Sequence, residues 1–301
     1  DVRKRVWLDA VENITEYTID YFKDLKKKYG GWALVTGASS GIGKEFVREL
    51  ASQGFNMALV ARSEEALKQM SQEITSKHAV ETRIILADFT KEDAVQAVYD
   101  AVDDLDIGLL IPAAGVDEMG LFLDKNYSSL QAMMQLNIDA PTQLAHMFGK
   151  RMEKREHSGI ILVASLFAYQ GIPHFATYAA TKAYILTLGE ALTLEMKKKG
   201  IDVLTLSPGL TATPFAAGLK VNPKLLPMIA QNPRSVARIG LRNIGNKMSV
   251  VSGFINKFYA WENRLIPRSW PVKLFGFLIG NAARSYEKHK KSAPQSPKAP
   301  V

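Results

Sequence analysis

The chain contains no cysteine among its 301 residues. A disulfide framework, a thiol nucleophile and a thiolate metal site are therefore excluded. Long apolar runs are also missing, because no stretch reaches the roughly 20 residues that a membrane-spanning helix needs. The first residues carry charges where a signal peptide would have its apolar core. We therefore expect a cytoplasmic protein, with peripheral contact to a membrane as an open alternative.

The composition fits one elaborated domain. With 47% hydrophobic residues, a chain of this length can bury a sizeable core. The net charge of +8 and the pI near 9.4 would favour phosphates or an anionic surface, but simple solubility explains them equally well. The chain lacks an organised motif for reading nucleic acid, so nucleic acid is not expected as a partner.

Short apolar runs bounded by Gly, Pro, Asp or Ser predict strands that are buried on both faces. These runs cover residues 32–36, 57–60, 83–86, 107–111, 160–164, 203–206 and 248–251. Segments with helical spacing lie between most of them, at residues 42–53, 64–77, 91–102, 128–152 and 177–198. The alternation predicts an α/β fold in which a doubly wound parallel sheet lies between two helical layers.

The N-terminal residues 1–29 lie outside this alternation. Their apolar residues recur at steps of three to four, as expected for an amphipathic helix. Such a helix would pack on the domain or on a partner chain, or would lie on lipid. Because the sequence starts at Asp1 and not at Met, an anchor or targeting segment could also precede it. The alternating elements define a domain over residues 30–253.

The C-terminal end has a different composition. Residues 254–284 mix aromatic and basic side chains, and Pro267 and Pro271 are expected to break any continuous helix. This mixture suits a membrane interface, and an arm over the active site or a dimer surface would suit it equally. Residues 285–301 are rich in Lys, Pro and Ser and predict a disordered tail.

A glycine-rich run, TGASSGIG, covers residues 36–43 between the first predicted strand and the first predicted helix. Glycines in such a turn let the backbone approach a pyrophosphate, and the helix start supplies amide groups and a favourable dipole. The predicted nucleotide contacts in this run are Gly37, Ser39, Ser40, Gly41, Ile42 and Gly43. The two serines would bind a phosphate or serve only in the turn.

Arg62 stands at the end of the second predicted strand, with no acid before Glu64. A free ribose 2'-hydroxyl usually meets an acidic residue at this place, whereas a 2'-phosphate needs positive charge. The sequence therefore predicts NADP(H) in preference to NAD(H).

Tyr178 and Lys182 are four residues apart in a predicted helix, so both side chains leave the same face. An ammonium beside a phenol favours the phenolate and lowers a pKa that is ordinarily about 10. The pair is a candidate proton donor and acceptor, although an isolated match is more often a surface pair. Ser165 ends another apolar run thirteen residues earlier, and together with the glycine loop it favours the catalytic interpretation.

These residues resemble the motifs of the short-chain dehydrogenase/reductase family, in its single-domain branch. The glycine loop, the set of Ser165, Tyr178 and Lys182, and the run Pro208-Gly209-x-x-x-Thr213 all match, and the similarity covers about residues 31–252. Where most members have Asn-Asn-Ala-Gly, this chain has PAAG at residues 112–115. The resemblance implies a Rossmann-type fold and a homodimer or homotetramer. The missing asparagines put in doubt the local hydrogen bonds that steady the central sheet and the cofactor at that run.

The resemblance also implies roles for individual residues. Tyr178 would exchange the proton, Ser165 would bind the oxyanion, Lys182 would hold the nicotinamide ribose, and Asn137 would position a water. The remaining cofactor contacts would be Asp88 at the adenine, Ala114 and Gly115 after the fourth strand, and Pro208, Gly209, Thr211 and Thr213 near the nicotinamide. For Asp88 a helix cap, and for Asn137 a buried structural asparagine, remain open.

The substrate is expected to be hydrophobic. Residues 215–230 predict an apolar mobile lid, and Phe167, Tyr169, Ile172 and Phe175 are expected to border the pocket. The sequence therefore predicts NADPH-dependent reduction of a hydrophobic ketone, or the reverse oxidation, without a metal. The alternative is a nucleotide-binding sensor or scaffold that performs no turnover.

Overall fold

The computed structural model describes the backbone of residues 25–214, 230–262 and 265–292, and the side chains of all of these residues except 262 and 286–292. Most of the predicted N-terminal helix and of the predicted lid therefore lies outside the described residues, as do residues 293–301 of the predicted tail. The last turn of the N-terminal segment, residues 25–29, is helical and buries Leu25 and Tyr29.

A parallel sheet of seven strands forms the centre of the fold, in the order β3-β2-β1-β4-β5-β6-β7. The strands are β1 (Trp32–Thr36), β2 (Asn56–Ala61), β3 (Thr82–Leu86), β4 (Ile107–Pro112), β5 (Ser158–Val163), β6 (Ile201–Ser207) and β7 (Ser249–Val251). Strand β1 pairs with β2 on one side and with β4 on the other. From β1, the strands that follow along the chain are added on one side as far as β3, and from β4 onward they are added on the other side. The point between β1 and β4, where the strand order switches, is where doubly wound sheets bind ligands.

Helices cover both faces of the sheet. They are α1 (Gly41–Ser52), α2 (Glu64–Lys77), α3 (Ala94–Asp100), α4 (Tyr127–Met134), α5 (Ala140–Met152), α6 (Ala176–Lys197), α7 (Pro233–Asn243), α8 (Phe254–Glu262) and α9 (Ser269–Ser292). Along β1, Ala33 and Val35 pack with α1, α2 and α7, whereas Leu34 belongs to the core with α3, α5 and α6. The predicted three-layer α/β fold is confirmed.

One predicted helix, over residues 128–152, is interrupted. A turn of π-helix, Gln135–Asp139, lies between α4 and α5 and contains Asn137. The extra residue in such a turn changes the direction of the side chains that it carries, and π-turns are frequent at functional sites.

The C-terminal extension is more helical than the sequence suggested. Pro267 precedes α9, but Pro271 lies inside its first turn and does not break it. The prediction for Pro271 is wrong because the amide nitrogens of a first turn need no helical partner. Helix α9 also continues through Ser292, past the predicted tail boundary at residue 285. Over the described residues, no helix combines the length and the apolarity that crossing a membrane requires.

Candidate active site

The glycine loop after β1 folds so tightly that its glycines are required. Gly37 and Gly41 have φ angles of 68° and 56°, in the left-handed region that favours glycine. A Cβ atom on Gly37 would lie 3.1 Å from the Ala114 backbone, and one on Gly43 would collide with the Gly37 carbonyl oxygen. The loop therefore leaves a backbone cradle beside β4.

Helix α1 begins at this cradle, and its N-cap residue does not cap it through a side chain. The side chain of Ser40, the N-cap residue, makes no capping hydrogen bond, and the first turn contains no acidic residue. The free amide groups and the helix dipole favour an anion at this position. The cradle and the helix start together fit the pyrophosphate of a dinucleotide.

The altered PAAG run after β4 keeps its connection to β1. The amide of Ala114 donates to the Thr36 side-chain oxygen at 3.0 Å, and Thr36 pairs with Pro112 in the strand register. Because this bond uses a backbone donor, it does not need the asparagine side chains that the run lacks. The hydrogen bonds that the sequence left in doubt are thus partly supplied by Thr36.

The three predicted catalytic residues meet at the carboxyl end of β5. Ser165 follows β5 and forms a side-chain hydrogen bond with Tyr178 of α6. The Lys182 ammonium lies 5.9 Å from the centre of the Tyr178 ring and donates to the Val163 carbonyl at 2.9 Å. All three residues are buried and line the same cavity.

Burial, and not the neighbouring ammonium, dominates the ionisation of this set. Burial raises the pKa of Tyr178 well above its ordinary value, against a smaller lowering by the hydrogen bond from Ser165. Burial also lowers the pKa of Lys182 to about 8. The predicted lowering of the Tyr178 pKa is therefore wrong, because desolvation of the phenolate outweighs the hydrogen bond from Ser165.

Asn137 lies behind the cavity and is held in one orientation. Its side chain accepts from the Val116 amide at 3.0 Å and donates to the Val116 carbonyl at 2.8 Å and to Thr181 at 3.2 Å. A Cβ atom on Gly115 would lie 3.2 Å from the Asn137 oxygen and 3.6 Å from the Lys182 nitrogen. Asn137 is thus fixed next to the catalytic set without lining the cavity.

The predicted adenosine-side residues do not line the cavity. Arg62 is exposed after β2, and its positive charge helps to lower the pKa of Asp88. The largest cause of that lowered pKa is the hydrogen bond from the Thr90 hydroxyl, at 2.9 Å. Ser39 is half-buried in the glycine loop. The structure therefore places Ser39, Arg62 and Asp88 near the sheet edge but outside the main cavity.

The run after β6 forms the opposite side of the cavity. Pro208, Gly209, Thr211 and Thr213 all line it, and a Cβ atom on Gly41 of the cradle would lie 3.3 Å from the Thr213 side chain. Gly209 packs so closely on Asn256 of α8 that any Cβ atom there would collide with the Asn256 amide. The C-terminal extension thus holds this run in place.

Fourteen of the predicted site residues are brought together around one cavity. They are Gly37, Ser40, Gly41, Ile42, Gly43, Ala114, Gly115, Ser165, Tyr178, Lys182, Pro208, Gly209, Thr211 and Thr213. Phe167 and Phe175 also line it, whereas Tyr169 and Ile172, expected to border the pocket, do not. Ile172 instead packs behind Phe175 in the same apolar cluster.

Asp117 and Ile279 are among the cavity residues that the sequence did not predict. Asp117 lies two residues after Gly115, and burial raises the pKa of its carboxyl to about 6. Its nearness to the glycine of the PAAG run was a usable signal. Ile279 comes from α9, 1% exposed, and nothing in its local sequence indicates a place in the site.

This arrangement defines a nucleotide-dependent oxidoreductase. A dinucleotide cradle and a hydrogen-bonded serine and tyrosine share one cavity, so a carbonyl oxygen could be bound beside a proton donor. Over the described residues, no cluster of three or more His, Asp or Glu side chains is placed to hold a metal ion.

Comparisons with known proteins agree with this class. The family model for short chain dehydrogenases matches residues 31–223. The 7beta-hydroxysteroid dehydrogenase of Clostridium sardiniense is 30% identical over 260 residues, covering 86% of this chain and all of that protein. The inactive hydroxysteroid dehydrogenase-like protein 1 of Homo sapiens is 35% identical over 197 residues, 64% of this chain and 60% of that protein.

A solved structure from work on 7beta-hydroxysteroid dehydrogenase stereoselectivity matches with a TM-score of 0.78 and 28% identity, covering 84% of this chain and 99% of that chain. Because the family model spans more than half of the sequence, the chain belongs to the short-chain dehydrogenase/reductase family. It is an oxidoreductase of CH–OH and C=O groups with a fold that binds NAD(P).

Proposed function

We propose that the chain reduces a hydrophobic ketone to an alcohol with NADPH, and catalyses the reverse oxidation. The observation that carries this proposal is the placement of Ser165, Tyr178 and Lys182 at a cavity that also has an apolar wall. That wall is made by Leu166, Phe167, Phe175 and Ile279.

Each residue of the catalytic set would have a separate role in carbonyl reduction. NADPH, when bound, would supply the hydride. The Ser165 hydroxyl would donate to the developing oxyanion, and Tyr178 would give that oxygen its proton. Since burial raises the Tyr178 pKa, the phenol is protonated at neutral pH and suited to donation. Lys182 would bind the cofactor ribose and stabilise the phenolate left after transfer, while Asn137 would position a water for reprotonation.

The preference for NADPH is supported by the charges after β2. Arg62 is exposed there. The acid that follows it in the sequence, Glu64, is paired with Lys68 at 2.7 Å in the first turns of α2. An adenosine 2'-phosphate at the strand end would therefore meet a guanidinium, with Glu64 held by another cation. Ser39 and Asp88 would complete the adenosine side, Asp88 with its carboxylate also held by Thr90.

The substrate class is supported by the cavity wall and by the relatives. The ring centroids of Phe167 and Phe175 lie 5.4 Å apart beside the Tyr178 ring, and the two rings offer an apolar surface to a bulky ketone. The relative from Clostridium sardiniense is named for a 7β-hydroxysteroid. Such steroids and the corresponding ketones are therefore the first compounds to test.

The decisive experiment is single-turnover oxidation of bound NADPH against a panel of steroid and long-chain ketones. We expect stoichiometric loss of NADPH absorbance with at least one bulky ketone. A second candidate function is nucleotide binding without turnover, which the human relative's name favours. Tight NADPH binding with no oxidation across the whole panel would select that candidate.

Assembly and location follow from the same proposal. Helix α6 exposes Tyr184 and Leu194, which suits a homodimer or homotetramer built from the helices after β4 and β5. Native mass measurement tests this. We place the protein in the cytoplasm, in reversible contact with a membrane where a hydrophobic ketone would dissolve.

A further inference from the structure

Helices α8 and α9 are each fixed to the domain by one face. In α8, Asn256 and Ala260 are buried. In α9, Phe275 and Ile279 are buried, and the Phe275 ring meets Tyr259 of α8 with centroids 5.6 Å apart. The C-terminal extension is therefore packed on the domain through these buried faces, and the opposite face of each helix points outward.

The opposite, outer faces carry the same arrangement of side chains in both helices. Large apolar residues occupy positions i, i+4 and i+7, with a lysine at i+3. These residues are Phe254, Lys257, Phe258 and Trp261 in α8, and Trp270, Lys273, Leu274 and Phe277 in α9. Positions with this spacing share one side of a helix. Each helix thus presents an apolar stripe edged by a cation.

These stripes are unusually exposed. Their six apolar side chains are between 48% and 88% exposed, and Leu265, between the helices, is 66% exposed. Large apolar side chains gathered on a surface mark an interaction site, whereas scattered ones are ordinary. Aromatic rings next to lysines are typical of helices that lie in a membrane interface.

The charge of the extension distinguishes between partners. Residues 254–285 contain five Lys or Arg and one acidic residue, Glu262. If two copies docked through this same face about a twofold axis, the cations of each would oppose those of the other. An anionic headgroup layer is complementary to them. We propose that the outer faces of α8 and α9 form a docking surface for an anionic lipid bilayer.

Docking would bring the cavity close to lipid. Ile279 lines the cavity, and Phe277, two residues earlier on the same helix, is 64% exposed on the docking surface. A ketone dissolved in the bilayer would then be separated from Tyr178 by little more than one helix. This route rests on the proposed function, whereas the docking itself requires no turnover.

Vesicle co-sedimentation of the full chain tests the proposal. The vesicles contain phosphatidylcholine alone or with one third phosphatidylserine, at low salt. Two variants each remove half of the surface, Phe258→Ser/Trp261→Ser and Trp270→Ser/Phe277→Ser. We expect wild-type binding to the anionic vesicles only, and a loss of about tenfold or more in each variant. Leu123→Ser, which removes a still more exposed apolar side chain outside the C-terminal extension, should bind like wild type.

A charge variant, Lys257→Glu/Lys273→Glu, should also lose binding, most strongly at low salt. Unchanged melting temperature and NADPH affinity show that the variants fold. Wild type that stays in solution with anionic vesicles, or apolar variants that bind as wild type does, would overturn the proposal. The second result would also place any lipid anchor elsewhere, such as residues 1–24. Variants that bind vesicles normally but halve the native mass would identify a second copy as the occupant.

Discussion

The two sides of the cavity are specified in different ways. The chemical side consists of short turns that directly follow β1, β4, β5 and β6, together with Tyr178 and Lys182 in the first two turns of α6. The apolar side adds Ile279 from a helix outside the residues that the family model matches. The reaction is therefore encoded by local motifs, whereas the choice of substrate depends on packing between distant parts of the chain.

The largest effect should come from the chemical side. Tyr178→Phe removes the proton donor but keeps the ring that packs on Phe167 and Phe175. We expect turnover to fall by more than about a hundredfold, the scale of a general acid, with NADPH affinity retained. Tyr127→Phe at the start of α4, where the ring is 71% exposed, serves as the control and should be neutral. Near wild-type turnover in Tyr178→Phe would reject the mechanism.

The cofactor preference should respond to one charge. Arg62→Asp replaces the cation proposed to bind the 2'-phosphate, so NADPH affinity should fall about tenfold or more, the scale of a charged hydrogen bond. NADH affinity should change little, because it lacks that phosphate. Titration by fluorescence measures both. Lys77→Asp, an exposed reversal at the far end of α2, is the control, and parallel losses for both cofactors would assign the phosphate to another residue.

A substitution on the apolar side should change the selectivity between substrates without slowing the chemical step. Ile279→Trp fills part of the cavity, so kcat/KM for a bulky ketone should fall about tenfold. A small ketone should be reduced at the wild-type rate, and NADPH affinity should hold. Phe277→Trp, on the exposed face of the same helix, is the matched control. Equal losses for small and bulky ketones would show that Ile279 supports the catalytic residues instead of the substrate.

The sequence predicted the sheet well because each strand is a short apolar run with a clear end, and the motif residues follow those ends. Helix α2 was placed without error for a similar reason, since Ser63 caps it and two acids follow. Helix α7 had no prediction, although Asn232 caps it and Pro233 opens it. Its buried face depends on packing against α1, which no local pattern reveals.

Other features depend on burial and could not be predicted locally. The spacing of Tyr178 and Lys182 predicted their proximity but gave the wrong direction for the phenol pKa, because desolvation is set by the whole fold. The π-turn at Asn137 looks like ordinary helix in the sequence. For the C-terminal extension the sequence allowed an arm over the active site or a membrane interface. The inner faces of its helices cover the active site, and their outer faces carry the exposed aromatic residues that suit an interface.

The smallest expected effect lies where the two sides meet, at Asp117. Burial raises the pKa of this carboxyl from 3.8 to about 6, with partial compensation by Lys125. Because the folded-state pKa exceeds the unfolded value, this group's contribution to stability is present below pH 4 and is lost as the pH rises to about 6. Asp117→Asn should therefore raise the free energy of unfolding at pH 8 by about 1–2 kcal/mol, and by less at pH 5.

Urea unfolding of both chains at the two pH values measures this difference. Asp124→Asn, an exposed neighbour in the same loop, is the matched control. The charge of Asp117 also raises the Tyr178 pKa, so the limb on which alcohol oxidation speeds up with pH, where Tyr178 is the base, should move to lower pH in Asp117→Asn. A stability gain of equal size at pH 5 and pH 8 would mean that the ionised carboxylate is not the source, and an unmoved limb would separate Asp117 from the chemistry of Tyr178.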